Sequence, residues 1–146
     1  MSLIENQPAW LLHSRPFRDT SLLLDFLTLE HGRISAIARG ARNPKSRTRA
    51  LLQPFSPLSV SLAGRNELLN LRQVEARGMA YSLAGERLFA ALYINELIVR
   101  LLSGHESDAE LFEHYGKVLH SLSEEAELEP LLRSFELRLL ETLGYG

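Results

Sequence analysis

Residues 58–76 read LSVSLAGRNELLNLRQVEA. At the start of this stretch, apolar residues at positions 58, 60 and 62 alternate with small side chains, which is the period of a strand with one buried face. The four residues Gly64-Arg-Asn-Glu67 have the composition of a hairpin turn, so the pattern predicts a returning strand from Leu68 to Ala76. An antiparallel pair of this kind indicates a β domain in the first half of the chain.

Three further strands are predicted upstream of this hairpin: Ala9–Ser14, Thr20–Leu29 and Arg33–Arg39. Arg15-Pro16 is predicted to be the turn after the first strand, and Glu30-His-Gly32 a tight connection between the second and the third. In the third strand, Ile34, Ala36 and Ala38 alternate with Arg33, Ser35 and Arg39, and only Ile37 breaks the alternation on the polar face. One face of that strand is therefore expected to look inward while the other carries cations.

Five short strands within about seventy residues predict a small closed or nearly closed sheet. A five-stranded oligonucleotide-binding (OB) barrel is the commonest such sheet with a basic face, although an SH3-like barrel fits the same pattern. From about residue 81 the apolar period changes to that of helices. The expected fold class is therefore α+β, with an OB β-barrel over residues 1–80 followed by an α-helical domain over residues 81–146.

Three helices are predicted in the second half. The first covers Glu86–Ser103 and is expected to end at Gly104. Ser107-Asp-Ala-Glu110 has the pattern of a capping box, which predicts that Ser107 caps a second helix running to about residue 122. Pro130 is expected at the first position of a third helix, which Gly144 ends.

The most highly charged segment is Arg39-Gly-Ala-Arg-Asn-Pro-Lys-Ser-Arg-Thr-Arg49, which we call the basic loop. It holds five cations and no acid, and its glycine, asparagine and proline predict an exposed loop between two strands. A polyanion would relieve the self-repulsion of such a cluster, although the same composition also fits a solvated loop that only aids solubility. The residues expected to contact a nucleic-acid backbone are Arg33, Arg39, Arg42, Lys45, Arg47 and Arg49.

Proteins that bind single strands usually add aromatic rings on which bases stack. The basic loop contains no aromatic residue, and we expect Phe17, Phe26 and Phe55 in the core, while the position of Trp10 is left open. The predicted binding mode is therefore electrostatic, with little sequence preference and a strong dependence on salt.

Charge is distributed unevenly along the 146 residues. Residues 1–78 carry 11 Lys and Arg against six Asp and Glu, whereas residues 79–146 carry five against 12, which indicates two surfaces with different partners.

The chain has no cysteine, which excludes disulfides and thiolate metal sites and fits a reducing cytoplasm. No signal peptide or membrane span is predicted, since Asn95, Glu96 and Arg100 interrupt the most apolar segment.

The sequence gives no support for catalysis. It contains no nucleophile elbow, zinc signature or EF-hand loop, and residues 40–46 lack the second glycine of a phosphate-binding loop. Glu110 and His114 lie one helical turn apart and could hold a metal, although such a pair is usually a solvated helix face. We therefore predict no enzymatic activity, no cofactor and no metal.

Several motifs, taken in order, resemble those of the bacterial RecO family. Phe17-Arg-Asp-Thr-Ser-Leu-Leu-Leu24, Glu30-His-Gly-Arg33, Ala38-Arg-Gly-Ala-Arg42 and Leu52-Gln-Pro-Phe55 are similar to its N-terminal domain. Leu139-Leu-Glu-Thr-Leu-Gly-Tyr-Gly146 is similar to a segment of its helical domain. Each motif is modest alone, but the ordered set is specific and covers nearly the whole chain.

The resemblance implies an OB barrel followed by a helical domain, in a non-enzymatic mediator of recombinational DNA repair in the RecF pathway. It implies binding to single- and double-stranded DNA, strand annealing, contact with single-strand-binding protein, and cooperation with RecR in loading RecA. It also implies a cytoplasmic, nucleoid-associated protein. The residues that match the family's basic loop are Arg39, Arg42, Lys45, Arg47 and Arg49, to which Arg33 and Arg65 are added as neighbours.

Two departures from the family pattern qualify this reading. Some members have a cysteine zinc site, which this chain cannot form because it has no cysteine. Members are also typically longer, so we expect the helical domain to be incomplete at its C-terminus. Some of the family's contacts, including some with single-strand-binding protein, belong to that C-terminal part.

Two alternative functions share the same cations. One is a protein-interaction adaptor that binds an acidic peptide such as the tail of single-strand-binding protein. The other is an RNA-binding OB module, which fits the acidic helical half less well. Displacement of DNA by the peptide would test the first, and a preference for RNA over DNA would favour the second.

Overall fold

The computed structural model describes residues 1–104 and 106–145. Within them, five strands are followed by three α-helices, as the sequence predicts. The strands are β1 (Ser2–Phe17), β2 (Ser21–Thr28), β3 (Gly32–Ala38), β4 (Pro57–Gly64) and β5 (Leu69–Ala76). The helices are α1 (Glu86–Leu101), α2 (Ala109–Ser123) and α3 (Leu128–Thr142). Gly146, the last residue of the predicted helical domain, lies outside the described residues.

The strands close into a barrel in the order β1-β2-β3-β5-β4. Neighbours are antiparallel except β3 and β5, which run parallel over two residue pairs, Ala36 with Leu69 and Ile37 with Asn70. Inward-facing side chains such as Phe26, Val60 and Leu62 are completely buried and fill the barrel. The predicted hairpin is present, with the turn at residues 65–68, and the predicted OB type of five-stranded barrel is confirmed.

Strand β1 is much longer than predicted. Arg15-Pro16 was expected to be a turn but pairs with Leu23 and Leu22 of β2. Strand β4, the other neighbour of β1, pairs with β1 only as far as Trp10. Beyond Trp10, β1 therefore has β2 as its single neighbour, and Pro16 is tolerated there because proline is accepted at the edge of a sheet. The turn instead follows Phe17, and Arg18 adopts a positive φ of 55° there.

Helix α1 ends two residues earlier than predicted. Leu102 caps it in an extended conformation, with its N–H donating to the carbonyl of Ile98, and its side chain is buried in the core. Burial of that leucine turns the chain inward before Gly104, which was expected to be the stop. The positive φ of Gly104, 98°, therefore lies in the connection to α2 and not at the helix end.

The starts of the other two helices also differ from prediction. Asp108, not Ser107, caps α2, because its carboxylate accepts from the N–H groups of the second and third helical residues. Ser107 instead donates to the carbonyl of Glu30 across 2.8 Å. Helix α3 begins at Leu128, so Pro130 is its third residue, still within the first turn where a missing N–H is harmless. Gly144, at φ 90°, follows the end of α3 as predicted.

Barrel and helices share a second hydrophobic core. Trp10, Leu12, Leu27 and Phe55 of the barrel pack in one cluster with buried residues of all three helices. Buried Asn95 of α1 crosses the junction, donating to the carbonyl of Leu12 at 3.2 Å and accepting from the hydroxyl of Tyr115 at 2.5 Å. Trp10 is therefore a residue of the core that the barrel shares with the helices. The boundary at residue 80 stays a prediction, since this core crosses it.

Candidate nucleic-acid interface

The basic loop connects β3 to β4 without helix or strand, in agreement with the prediction. Its chain turns repeatedly: the N–H of Asn43 donates to the carbonyl of Gly40 at 3.0 Å, and that of Ser46 to the carbonyl of Asn43 at 2.9 Å. The side chain of Asn43 also accepts from the N–H of Lys45. Such local bonds explain why asparagine and glycine are suited to this loop.

Two apolar residues anchor the loop to the barrel. Ala41 and Leu52 are 1% and 5% exposed and belong to the cluster of side chains that fills the barrel. Between and beside these anchors, four cationic side chains remain exposed to solvent: Arg39, Lys45, Arg47 and Arg49. The loop therefore presents its charge from a fixed attachment to the sheet.

Arg42, the fifth cation, is bound to the turn between β1 and β2. Its main-chain N–H donates to the carbonyl of Thr20 at 2.8 Å, and its Nε to that of Ser21 at 2.9 Å. Its Nη2 donates to the carbonyls of Arg18 and Asp19, at 2.5 and 2.7 Å. Most of its donors therefore satisfy main-chain acceptors, and Arg42 holds the basic loop against this turn.

Arg39 marks where the basic loop meets the sheet. Its Nε donates to Oδ1 of Asn70 on β5 at 3.0 Å, and Asn70 pairs with Ile37 of β3. Arg72, two residues further along β5, is exposed at an irregularity in the pairing with β4. These contacts extend the cationic surface from the loop onto the outer face of the sheet.

The structure does not bring Arg33 and Arg65 to the basic loop. The guanidinium of Arg33 lies 2.8 Å from the carboxylate of Asp25 and donates to the carbonyl of Leu102. Arg65 is exposed in the β4–β5 turn, which precedes the pairing of β5 with Ala36. The basic loop leaves β3 at its opposite end, beyond Ala38, so the two surfaces are separated along the strand.

Two further cations adjoin the basic loop that sequence reasoning did not select. Arg15 pairs with Leu23 on the strand next to β3, and Arg18 lies in the turn that Arg42 holds; both are exposed. Arg15 was missed because Arg15-Pro16 was interpreted as a turn. The available signal was strand alternation, which on a longer β1 places Arg15 and Phe17 on the same face.

Glu110 and His114, the pair considered as metal ligands, each contact a residue of α3. Glu110 lies 2.9 Å from the guanidinium of Arg138, and the His114 ring stacks on Phe135 with centroids 6.0 Å apart. Among residues 1–104 and 106–145, no group of three or more His, Cys, Asp or Glu side chains is placed to hold a metal ion. Within the same residues, no helix is long and apolar enough to cross a membrane.

Two protein-family models match the chain. The model described as Recombination protein O N terminal matches residues 1–79, and the model described as Recombination protein O C terminal matches residues 83–146. The first match therefore contains the barrel and the basic loop, and the second begins in the segment that leads into α1.

Curated relatives with similar sequences are named DNA repair protein RecO. The protein of Methylococcus capsulatus is 51% identical over 138 residues, which are 94% of this chain and 57% of the relative. The protein of Coxiella burnetii is 49% identical over 96% of this chain and 60% of the relative. That of Pseudoalteromonas atlantica is 46% identical over 97% of this chain and 59% of the relative. The chain spans about three fifths of the length of these relatives.

Proposed function

Because the chain belongs to the RecO family of recombination proteins, we propose that it takes part in DNA repair as a DNA-binding mediator without catalytic activity. The proposal covers single- and double-stranded DNA as ligands and annealing of complementary strands. Cooperation with RecR in loading RecA, and contact with single-strand-binding protein, belong to the same proposal and rest on family membership alone.

The observation that carries the DNA-binding proposal is the unpaired charge of the basic loop. In the part of the chain that the structure describes, no ion pair involves Arg39, Lys45, Arg47 or Arg49, although ion pairs are frequent on the helices. Cations that lack acidic neighbours repel one another, and phosphates along a nucleic-acid backbone would remove that repulsion while releasing counterions. The barrel supplies a fixed support for them.

Arg33 and Arg42 have different places in this proposal than the sequence suggested. Arg42 acts by holding the loop against the β1–β2 turn, and Arg33 acts at the junction with the helices. Arg15 and Arg18 join the exposed loop cations as phosphate contacts, since Arg15 lies on the strand next to β2 and Arg18 lies in the turn that Arg42 holds. Arg65 is a separate contact that only a longer DNA strand would reach.

Fluorescence anisotropy with a labelled oligonucleotide tests the proposal. We expect the affinity for single-stranded DNA to fall steeply between about 50 and 200 mM salt and to be insensitive to base sequence. A duplex and an RNA strand of equal length, measured in parallel, separate DNA binding from an RNA-binding function. If the chain bound no DNA at the lowest salt but bound an acidic peptide, the proposal would be wrong. The protein would then be a protein-interaction adaptor.

A further inference from the structure

One strip of apolar side chains on the barrel has no place in either core. Phe17, Leu23 and Ile37 are only partly buried, and none of them packs against the barrel core or the core shared with the helices. They lie on adjacent strands, because Leu23 pairs with both Arg15 and Ile37, and Phe17 follows Arg15 by two residues. Of the four aromatic residues in the barrel, the other three are core residues.

The strip is bordered by cations on several sides. Arg15 lies in β1 beside Leu23, and Arg39 follows Ile37 by two residues in chain order. The guanidinium of Arg18 lies over the ring of Phe17, with its carbon 5.0 Å from the ring centroid. An apolar surface with cations along its edges is complementary to a strand whose bases are unpaired and whose phosphates lie to the side.

The strip is continuous with the basic loop. Arg42 ties the loop to the main chain of residues 18–21, the turn that begins directly after Phe17. Asn70 connects the other end, since it pairs with Ile37 and accepts from Arg39. A nucleic-acid strand held by the loop would therefore lie next to the strip.

We propose that Phe17, Leu23 and Ile37 form a platform for unpaired nucleobases, and that the ring of Phe17 with the overlying Arg18 is its stacking site. Bases of a duplex are already stacked on one another, so the platform is available only to single strands. It would add a single-strand preference to the electrostatic contacts of the loop, and in this respect it rests on the proposed function.

The substitution Phe17→Leu tests the platform, because leucine keeps an apolar side chain and removes the aromatic ring. We expect binding of a single-stranded oligonucleotide to weaken about tenfold at fixed salt, with little change for a duplex of equal length. Phe89→Leu is the matched control, since Phe89 is an exposed aromatic residue on α1, and it should change neither affinity. Thermal unfolding of each variant verifies that the fold is retained.

The variant Phe17→Trp gives a second readout that does not depend on loss of affinity. Stacking of bases on the new indole should quench its emission when single-stranded DNA is added, and a duplex should quench it much less. If Phe17→Leu lost equal affinity for the single strand and for the duplex, the platform would be wrong. It would also be wrong if an acidic peptide, but not the oligonucleotide, quenched the emission of Phe17→Trp. If the unsubstituted chain bound no DNA at all, the proposed function itself would be wrong.

Discussion

The Nε atom of Arg33 donates to the main-chain carbonyl of Leu102 across 2.7 Å, which joins β3 to the residue that caps α1. The same guanidinium forms an ion pair with Asp25, and the two side chains are only 18% and 17% exposed. Leu102 is itself buried in the core shared by the barrel and the helices. Arg33 is therefore one of the contacts that attach the helical part to the sheet that carries the basic loop.

Replacement of Arg33 should mainly lower the stability of the fold and have a smaller effect on DNA affinity. In Arg33→Met the aliphatic stem is kept, but the carbonyl of Leu102 loses its donor and the carboxylate of Asp25 keeps only the hydroxyl of Ser35 as a donor. We expect a cost of about 1–2 kcal/mol in urea unfolding. Arg100→Met is the control, because Arg100 and its partner Glu96 are well exposed, and its cost should stay below about 0.5 kcal/mol. Equal losses in the two variants would contradict the junction role.

Gly32 should be intolerant of any side chain. Its φ is +65°, and a Cβ atom added there would lie 1.7 Å from the main-chain oxygen of Glu106. Gly40 has a similar φ of +70° but open space around it, so it is a matched control for backbone strain alone. We expect Gly40→Ala to cost about 1 kcal/mol and Gly32→Ala clearly more, because the connection between α1 and α2 must move.

Urea unfolding of both glycine variants measures this difference. Similar stabilities of the two variants would mean that the connection near Glu106 yields without cost. The close approach at Gly32 would then not constrain the junction between barrel and helices.

His114 should make the protein less stable in mild acid. Burial lowers the pKa of its imidazole, the charges of Arg138 and Lys117 lower it further, and Glu141 opposes them. In the unfolded chain the imidazole takes up a proton near its ordinary pKa of about 6.5, so the unfolded state binds more protons there. The free energy of unfolding therefore decreases as the pH falls below about 6.5. The decrease ends when the pH is below the lower pKa that His114 has in the folded state.

The variant His114→Gln isolates this contribution from those of the carboxylates. The free energy of unfolding is measured at pH 7.5 and at pH 5.5 for both proteins. We expect the unsubstituted chain to lose more stability between the two pH values than the variant does. An equal loss in both proteins would show that His114 titrates alike in the folded and unfolded states.

Arg42 should act through its hydrogen bonds and not through its charge. Lysine in its place keeps the charge, but a single ammonium group cannot reach the three carbonyls that the guanidinium contacts. We expect Arg42→Lys and Arg42→Ala to weaken DNA binding to a similar extent and to destabilise the fold by about 1 kcal/mol or more. If Arg42→Lys bound DNA like the unsubstituted chain while Arg42→Ala did not, a direct phosphate contact would be indicated.

Local patterns were sufficient for most of the barrel. Strand β4 and its hairpin turn follow from alternation and from a glycine-asparagine turn, both of which are set by neighbours in sequence. The basic loop was found for the same reason, since its composition disfavours regular structure. Its attachment through Ala41 and Leu52 was not evident, because burial of those residues depends on the closed barrel.

The misassigned cap of α2 concerns a residue whose partner is distant in sequence. Ser107 was expected to cap α2, but it bonds to Glu30, 77 residues away, and Asp108 takes its place. The DNA contacts of Arg33 and Arg42 stay predictions, but both side chains make hydrogen bonds to residues 69 and 21 to 24 positions away, which no spacing rule indicates. Charge alone therefore identified candidate contacts, but it did not show which guanidinium groups already form hydrogen bonds within the protein.

The salt dependence of DNA binding after removal of the exposed loop charges tests most directly whether the basic loop binds DNA. In the triple variant Lys45→Gln, Arg47→Gln and Arg49→Gln, we expect the slope of log affinity against log salt to become flatter by about 2, since each phosphate contact on a single strand contributes about 0.7. Arg100→Gln with Arg133→Gln, which removes exposed cations of the helices, should leave the slope unchanged. A triple variant with the slope and affinity of the unsubstituted chain would contradict the basic loop as the DNA-binding site.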